Sequence, residues 1–239
     1  MNHNLPVVSI QRHRINVDGK GIRTLIHTYG CNLSCKWCCN PETRFYDKYN
    51  IYTLEELFDI VKVDDLYFLA SSGGITFSGG EPFLHPEFIF EFSKKCHEYD
   101  WNVVIESALN VKPEIIKESL NYIDYYFVDI KSMDSEIHKK YTGIDNRKIL
   151  KNIELIHPDK ITINIPVIPS INDSKGNIDK TMEFCKSIGI KRIRLISYRD
   201  YSKTKYKKMN LNYDLNVVYD ELYFKELIQR VKERGFIVG

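Results

Sequence analysis

The chain has 239 residues, 43% of them hydrophobic, and a formal net charge of +2 at neutral pH. That length suits one domain with small extensions and a sizeable core, and the charge argues against a nucleic-acid binder or an acidic tail. No apolar run approaches a membrane span, and six cysteines without a secretory signal suit a reducing cytoplasm, not a disulfide framework.

Residues 1–10 read as an entry segment with an edge strand. Asp18-Gly19-Lys20-Gly21 follows, and two glycines in four residues mark a turn. Residues 23–29, RTLIHTY, alternate and are β-branched, which predicts a strand. From its end runs Gly30-Cys31-Asn32-Leu33-Ser34-Cys35-Lys36-Trp37-Cys38-Cys39-Asn40-Pro41. Cys31, Cys35 and Cys38 have the spacing C-x3-C-x2-C. Thiolates are the usual ligands of iron–sulfur clusters, and a complete set for four irons needs four; three leave one iron open to a small molecule. A zinc site would call for a second cysteine pair or histidines at zinc spacing, and neither follows. Cys39 directly follows Cys38, so it is given a non-ligand role, and Cys96 and Cys185 are scattered as structural cysteines are.

Residues 53–62 begin with Thr53 and carry Glu56 three positions later, the capping-box pattern of a helix start. Ile75-Thr76-Phe77 reads as a strand, with Gly79-Gly80-Glu81 as the loop after it, where glycines let the backbone approach a ligand. A helix over about 86–99 opens on Pro86. A strand at 102–106 ends on Glu106-Ser107, and a helix covers about 113–120. The strand at 124–130 ends on Asp129-Ile130-Lys131, an acid and a base on alternate residues that share one face. Strands at 161–168 and 192–198 flank a helix at 176–188, in which Cys185 is a small buried apolar group. Residues 200–215 read as a polar loop rich in Lys and Tyr, and a helix and a short FIV strand finish the chain. Strands alternating with helices six times predict parallel pairing with right-handed crossovers, and functional loops at strand C-termini are what a (β/α) barrel provides.

The cysteine spacing resembles that of the radical S-adenosylmethionine (SAM) superfamily. Asp18-Gly19-Lys20-Gly21-Ile22-Arg23, Gly79-Gly80-Glu81, Asp129-Ile130-Lys131 and the stretch MDSEIHKKYTGIDNRKILKN at 133–152 are similar to segments of the glycyl-radical-enzyme activating enzymes, with Lys20 where those carry proline. The resemblance covers nearly the whole chain. It implies an α/β fold, a partial (β/α)6 radical SAM barrel open on one side, as a single domain over 1–239 (extension 1–22, core 23–200, C-terminal segment 201–239). It implies one [4Fe-4S] cluster on Cys31, Cys35 and Cys38, with SAM chelated to the open iron and cleaved reductively to a 5'-deoxyadenosyl radical. The implied SAM contacts are Trp37, Cys39, Gly79, Gly80, Glu81, Glu106, Ser107, Asp129, Lys131 and Arg199, and the implied substrate loop holds Asp18 and Gly19. No side chain is needed as an acid or base, so His138 reads as a packing histidine. The hydrogen would come from a glycine of a partner glycyl radical enzyme, and the electron from flavodoxin or ferredoxin. Neither a nucleic acid nor a membrane is implied. Many activating enzymes carry an inserted ferredoxin-like domain with eight cysteines; here 42 residues lie between Cys38 and Glu81 and hold one cysteine, so that insert is absent.

Three departures bear on the substrate: Cys39, Asn164 where many relatives carry Arg, and Arg199 where they often carry His. A radical SAM enzyme acting on a small molecule or peptide, an anaerobic ribonucleotide reductase activase, and a non-enzymatic metal or nucleic-acid binding module are the other readings.

Overall fold

The structure is a computed structural model that describes residues 4–45, 48–199 and 201–239. Packing divides the chain into two compact units, Met1–Asn32 with Glu42–Tyr126 and Leu33–Pro41 with Phe127–Gly239.

In the first unit the strands are β1 (Leu5–Ile15), β2 (Ile22–Thr28), β3 (Asn50–Tyr52), β4 (Gly74–Gly79) and β5 (Asn102–Ser107). β1 pairs antiparallel with both β2 and β3. β2, β4 and β5 are parallel, and Thr28 lies opposite Gly79, so the cysteine loop and the Gly-Gly-Glu loop leave neighbouring strands at the same end. The helices are α1 (Glu42–Phe45), α2 (Leu54–Lys62), α3 (Asp65–Ser71), α4 (Pro86–His97) and α5 (Pro113–Ser119). The Thr53–Glu56 capping box forms as expected, and Pro86 occupies the first turn of α4, where its missing N–H costs nothing. The core is aromatic: Phe58 stacks on Trp101 at 5.1 Å, and Phe77 meets Phe92 edge-on at 5.6 Å.

Two buried charges brace this unit. Asp64 accepts a fork from Arg12 at 2.8 and 2.5 Å and a bond from Thr24 at 3.0 Å. Arg23, wholly buried, donates to Thr76, to Asn102 through its side chain and backbone, and to the carbonyls of Lys20 and Ile75. Burial pushes its guanidinium down to about 10.

β6 (Tyr125–Asp129) lies at the division. The second unit has β7 (Ile161–Val167), β8 (Arg192–Ser197) and β9 (Ile237–Val238), all parallel. Its helices are α6 (Ser135–Thr142), α7 (Arg147–Ile153), α8 (Lys175–Ser187), α9 (Tyr201–Lys208) and α10 (Glu221–Glu233). Leu227 and Val231, four residues apart, bury one face of α10, and Arg230 of α10 forks onto Asp179 of α8 at 2.7 and 2.5 Å. The fold class is the expected α/β one with parallel strands, and neither unit's sheet closes on itself. Among the described residues no helix is long and apolar enough to cross a membrane.

One expectation is corrected. Residues 201–208, expected in a polar loop, form α9; residue 200, where that loop was to begin, lies outside the described residues. The segment is polar overall, so no apolar periodicity marked it. Among the described side chains Ser202 and Tyr206, one turn apart, anchor its inner face.

Candidate radical SAM site

The first unit fixes its candidate site loops through backbone. At the ends of β2 and β4 the Gly80 N–H donates to the Thr28 carbonyl at 3.1 Å, and the Glu81 N–H donates to the Gly30 carbonyl at 2.8 Å. Cys31 follows Gly30 directly. A Cβ on Gly80 would stand 1.9 Å from the Gly30 carbonyl oxygen, so only glycine permits the approach. The close backbone contact expected for a ligand is therefore first of all a contact with the base of the cysteine loop.

Glu81 completes the loop from within. Its carboxylate is buried and accepts from the Phe83 N–H at 3.2 Å, the Ser107 hydroxyl at 2.7 Å and the Ala108 N–H at 3.0 Å. Ser107 is thereby committed to Glu81, and its oxygen in turn accepts from the Leu109 N–H at 2.8 Å. These two expected SAM contacts act as braces between the loops after β4 and β5. Glu106 points to the other face of β5, half-buried, and accepts from Ser78 at 2.7 Å.

Asp18 and Gly19 do not join these residues. They precede β2, whereas the cysteine loop follows it, so seven residues of strand, roughly 20 Å at strand rise, separate the two ends. Asp18 is buried, its carboxylate accepts from Arg14 at 2.6 Å, and its carbonyl accepts from Thr76 at 2.8 Å. The expected partner-facing Asp18 is thus a structural residue here. A hairpin turn lies at the opposite end of the strand from the loop that follows it.

The second unit holds the rest of the cysteine loop by the C-terminal end of α6. The Ser34 N–H and hydroxyl both donate to the Thr142 carbonyl, at 2.7 and 3.1 Å, and the Lys36 N–H donates to the Tyr141 carbonyl at 3.0 Å. Gly143 ends α6 in the left-handed region at φ 88°, the usual helix stop. Buried His138 fixes this end from below: its Nδ1 meets the Ile144 carbonyl at 2.7 Å, and Thr142 Oγ1 stands 3.0 Å from the same nitrogen. Burial pushes the His138 imidazolium below its ordinary value, against a smaller upward pull from Ile144. The stretch KYTGID at 140–145 therefore has a mechanical role, anchorage of the cysteine loop. Its signal in the sequence was the Thr-Gly helix stop.

Trp37 is buried with Ile168 and Tyr198, and Cys35 and Tyr141 pack against that group. Cys39 is exposed, and its carbonyl accepts from Lys205 Nζ of α9 at 2.8 Å. Lys131 donates to Asp129 at 2.8 Å, a pair on one face as the alternation predicts. Asn164 is buried and accepts from Arg194 Nε at 2.9 Å; the guanidinium of Arg194 lies 4.5 Å from the centre of the Phe127 ring. An arginine on β8 thus stands beside Asn164 on β7, a pairing set by strand register. Exposed Arg199 lies over Tyr219 at 5.7 Å.

The donor set fits an iron–sulfur cluster. All six cysteines are thiols, none in a disulfide; Cys31, Cys35 and Cys38 are half-buried, whereas Cys96 and Cys185 are fully buried. Burial pushes the Cys185 thiol up to about 12 and the Cys96 thiol well above its ordinary value, which disfavours both as thiolate ligands. Among the described residues no three His, Cys, Asp or Glu side chains are arranged to share a single metal ion; a four-iron cubane is larger than an ion and holds its thiolates farther apart.

The sequence pattern of the Radical SAM superfamily matches residues 25–185. The (2S)-3-sulfopropanediol dehydratase activating enzyme of Klebsiella oxytoca is 30% identical across 98% of this chain and 95% of its own length. That alignment runs over 302 positions, more than the 239 residues here, so the relative carries segments that this chain lacks. The pyruvate formate-lyase-activating enzyme of Clostridium pasteurianum is 35% identical across 89% of this chain and 94% of its own. A solved domain of pyruvate-formate lyase-activating enzyme from Bacteroides vulgatus ATCC 8482 superposes with a TM-score of 0.59 and 29% identity, covering 70% of this chain and 98% of that domain. Radical SAM family members bind SAM and a [4Fe-4S] cluster held by three cysteines, here the motif of Cys31, Cys35 and Cys38. From the match over most of its length and from these relatives, the chain belongs to the radical SAM superfamily and, within it, to the glycyl-radical-enzyme activating enzymes.

Proposed function

We propose that this enzyme activates a partner glycyl radical enzyme by taking a hydrogen atom from one backbone glycine. The observation that carries the reading is similarity to activating enzymes along nearly the whole chain, including the α6 segment that anchors the cysteine loop. A cluster held by Cys31, Cys35 and Cys38, with SAM, would supply the abstraction: one-electron reductive cleavage of SAM would give methionine and, with the glycine hydrogen, 5'-deoxyadenosine.

This chain's residues position the reaction and transfer no proton. Cys31, Cys35 and Cys38 hold the cluster. The Gly79-Gly80 loop, braced by Glu81 and Ser107, would hold the methionine amino group of SAM. Glu106 offers a carboxylate to the cationic end of SAM, and Asp129 and Lys131 meet its zwitterion. Trp37, Cys39 and Arg199 border the adenosine. The two units act as one radical SAM domain. Flavodoxin or ferredoxin delivers the electron, and oxygen-sensitive chemistry at a thiolate-bound iron–sulfur cluster suits a reducing cytoplasm.

The test is anaerobic. The reconstituted protein with SAM and reductant is expected to absorb as an iron–sulfur protein and form 5'-deoxyadenosine; Cys31→Ala is expected to abolish both. Addition of a candidate glycyl radical enzyme should give a glycine-centred EPR doublet. Deoxyadenosine without a doublet across many candidates would sink the activase reading and move the substrate to a small molecule or peptide. A colourless zinc protein would sink the cluster as well.

A further inference from the structure

α9 is a helix that the chemistry above leaves unused. Its sequence, YSKTKYKK, holds four lysines and no acid in eight residues. Ser202 and Tyr206 are buried, and Lys203, Lys207 and Lys208 are exposed. Lys205 turns instead to the cysteine loop, where Nζ donates to the Cys39 carbonyl at 2.8 Å and to Asn40 Oδ1 at 3.3 Å. The loop adds its own cation: Lys36, exposed between Cys35 and Cys38, holds Nζ 5.5 Å from the centre of the Tyr141 ring, and Lys140 lies 5.3 Å from the same centre. Beneath α9 an aromatic layer reaches toward the loop. Tyr206 packs edge-on against Tyr213 at 4.9 Å, the Tyr213 hydroxyl meets that of Tyr198 at 2.9 Å, and Tyr198 packs in one cluster with Trp37.

We propose that α9 and the adjoining cysteine loop form the docking surface for the electron donor, a small acidic protein with a one-electron flavin or iron–sulfur centre. The assignment rests on the radical SAM reading and is independent of which enzyme is activated. One electron leaves the donor's reduced centre, which is oxidised, and enters the cluster, which is reduced; no bond forms or breaks. Electron transfer falls off steeply with distance, so the donor must come to the loop that bears the ligands, which carries exposed Lys36 and is joined to α9 through Lys205. A rim of amines attracts an acidic partner and raises its association rate more than its final affinity. The chain's overall charge of only +2 makes the concentration of cations here a local feature.

The test uses the reconstituted holoenzyme and the triple variant Lys203→Glu, Lys207→Glu, Lys208→Glu, whose affinity for oxidised flavodoxin, read by titration calorimetry at low ionic strength, is expected to fall and whose unchanged affinity would overturn the proposal. Deoxyadenosine formation is driven either by reduced flavodoxin or ferredoxin, or by photoreduced deazaflavin, a small uncharged donor. With the protein donors at low ionic strength the variant's initial rate is expected to fall roughly tenfold. Added salt should slow the wild type toward the variant, and with deazaflavin the two should be equal. Equal rates and equal salt response with the protein donors would overturn the proposal. A fall with every donor would overturn it too, because the lysines would then serve the folded site. A variant that keeps its rate with the protein donors and loses only the glycyl-radical signal would assign α9 to the radical enzyme instead. Wild-type protein that cleaves SAM with both kinds of donor yet radicalises no candidate would end the activase reading alone, since the donor comparison would still decide the surface.

Discussion

The two units hold their loops by different means. In the first, the Gly79-Gly80-Glu81 loop is fixed by backbone-to-backbone bonds and by a buried carboxylate that accepts three donors. In the second, a helix end holds the cysteine loop through an imidazole-braced turn, and the neighbouring polar groups meet side chain to side chain, as Arg194 and Asn164 do. Backbone geometry leaves no freedom at Gly80, whereas a side-chain pair can be exchanged between strands. Of the four departures from the family pattern noted above, Cys39, Asn164 and Arg199 fall in the second unit and Lys20 in the first.

Gly80→Ala should break that contrast most visibly. The added Cβ must push the loop off Gly30, and a displacement of about 1 Å at a reacting centre can lower turnover on the order of 10²-fold. Deoxyadenosine formation under deazaflavin measures the loss, and circular dichroism should stay near that of the wild type. Unimpaired turnover would show that the loop is not fixed as described.

Glu81→Gln comes next. One carboxylate oxygen accepts from Phe83 and Ser107 and the other from Ala108, so an amide must set a donor against a donor. The expected cost is about 1–3 kcal/mol, read as a fall in thermal midpoint of about 2–4 °C per kcal/mol.

His138 gives the second unit a pH dependence. Its folded value lies below the ordinary 6.5, so the unfolded chain takes the proton first. Stability should therefore fall as pH drops below about 6.5, with a slope of no more than ~1.4 kcal/mol per pH unit. Urea unfolding between pH 7.5 and 5.5 should show that slope in the wild type and a flatter line in His138→Phe. Equal slopes would remove the imidazole from the account of the α6 end.

Asn164→Ala should matter least. Arg194 loses one acceptor and keeps its place over Phe127, so a cost of roughly 1 kcal/mol or less is expected. SAM cleavage should stay within a few-fold of the wild type, and a loss as large as that of Gly80→Ala would erase the distinction between the two units.

Much of this was legible in residue order. The spacing of Cys31, Cys35 and Cys38 is local, and so are the Thr53 capping box, the alternation of β2 and the short apolar strand of β4. Such features depend on residues a few positions apart, which the chain itself specifies. α1, β3, α3, α6, α7 and α9 were not expected; they are short, and their anchors act only once something packs beneath them.

The sequence by itself determined the α/β class, the cysteine motif and the glycine loop, because helix and strand periods and ligand spacing are written along the chain. Tertiary structure alone decided what these residues touch. It turned Glu81 and Ser107 inward as braces, buried Asp18 at the far end of β2, anchored the cysteine loop on the end of α6, and set Arg194 beside Asn164. Each of those contacts joins residues distant in sequence, and strand register and helix docking, not local propensity, fix which ones meet.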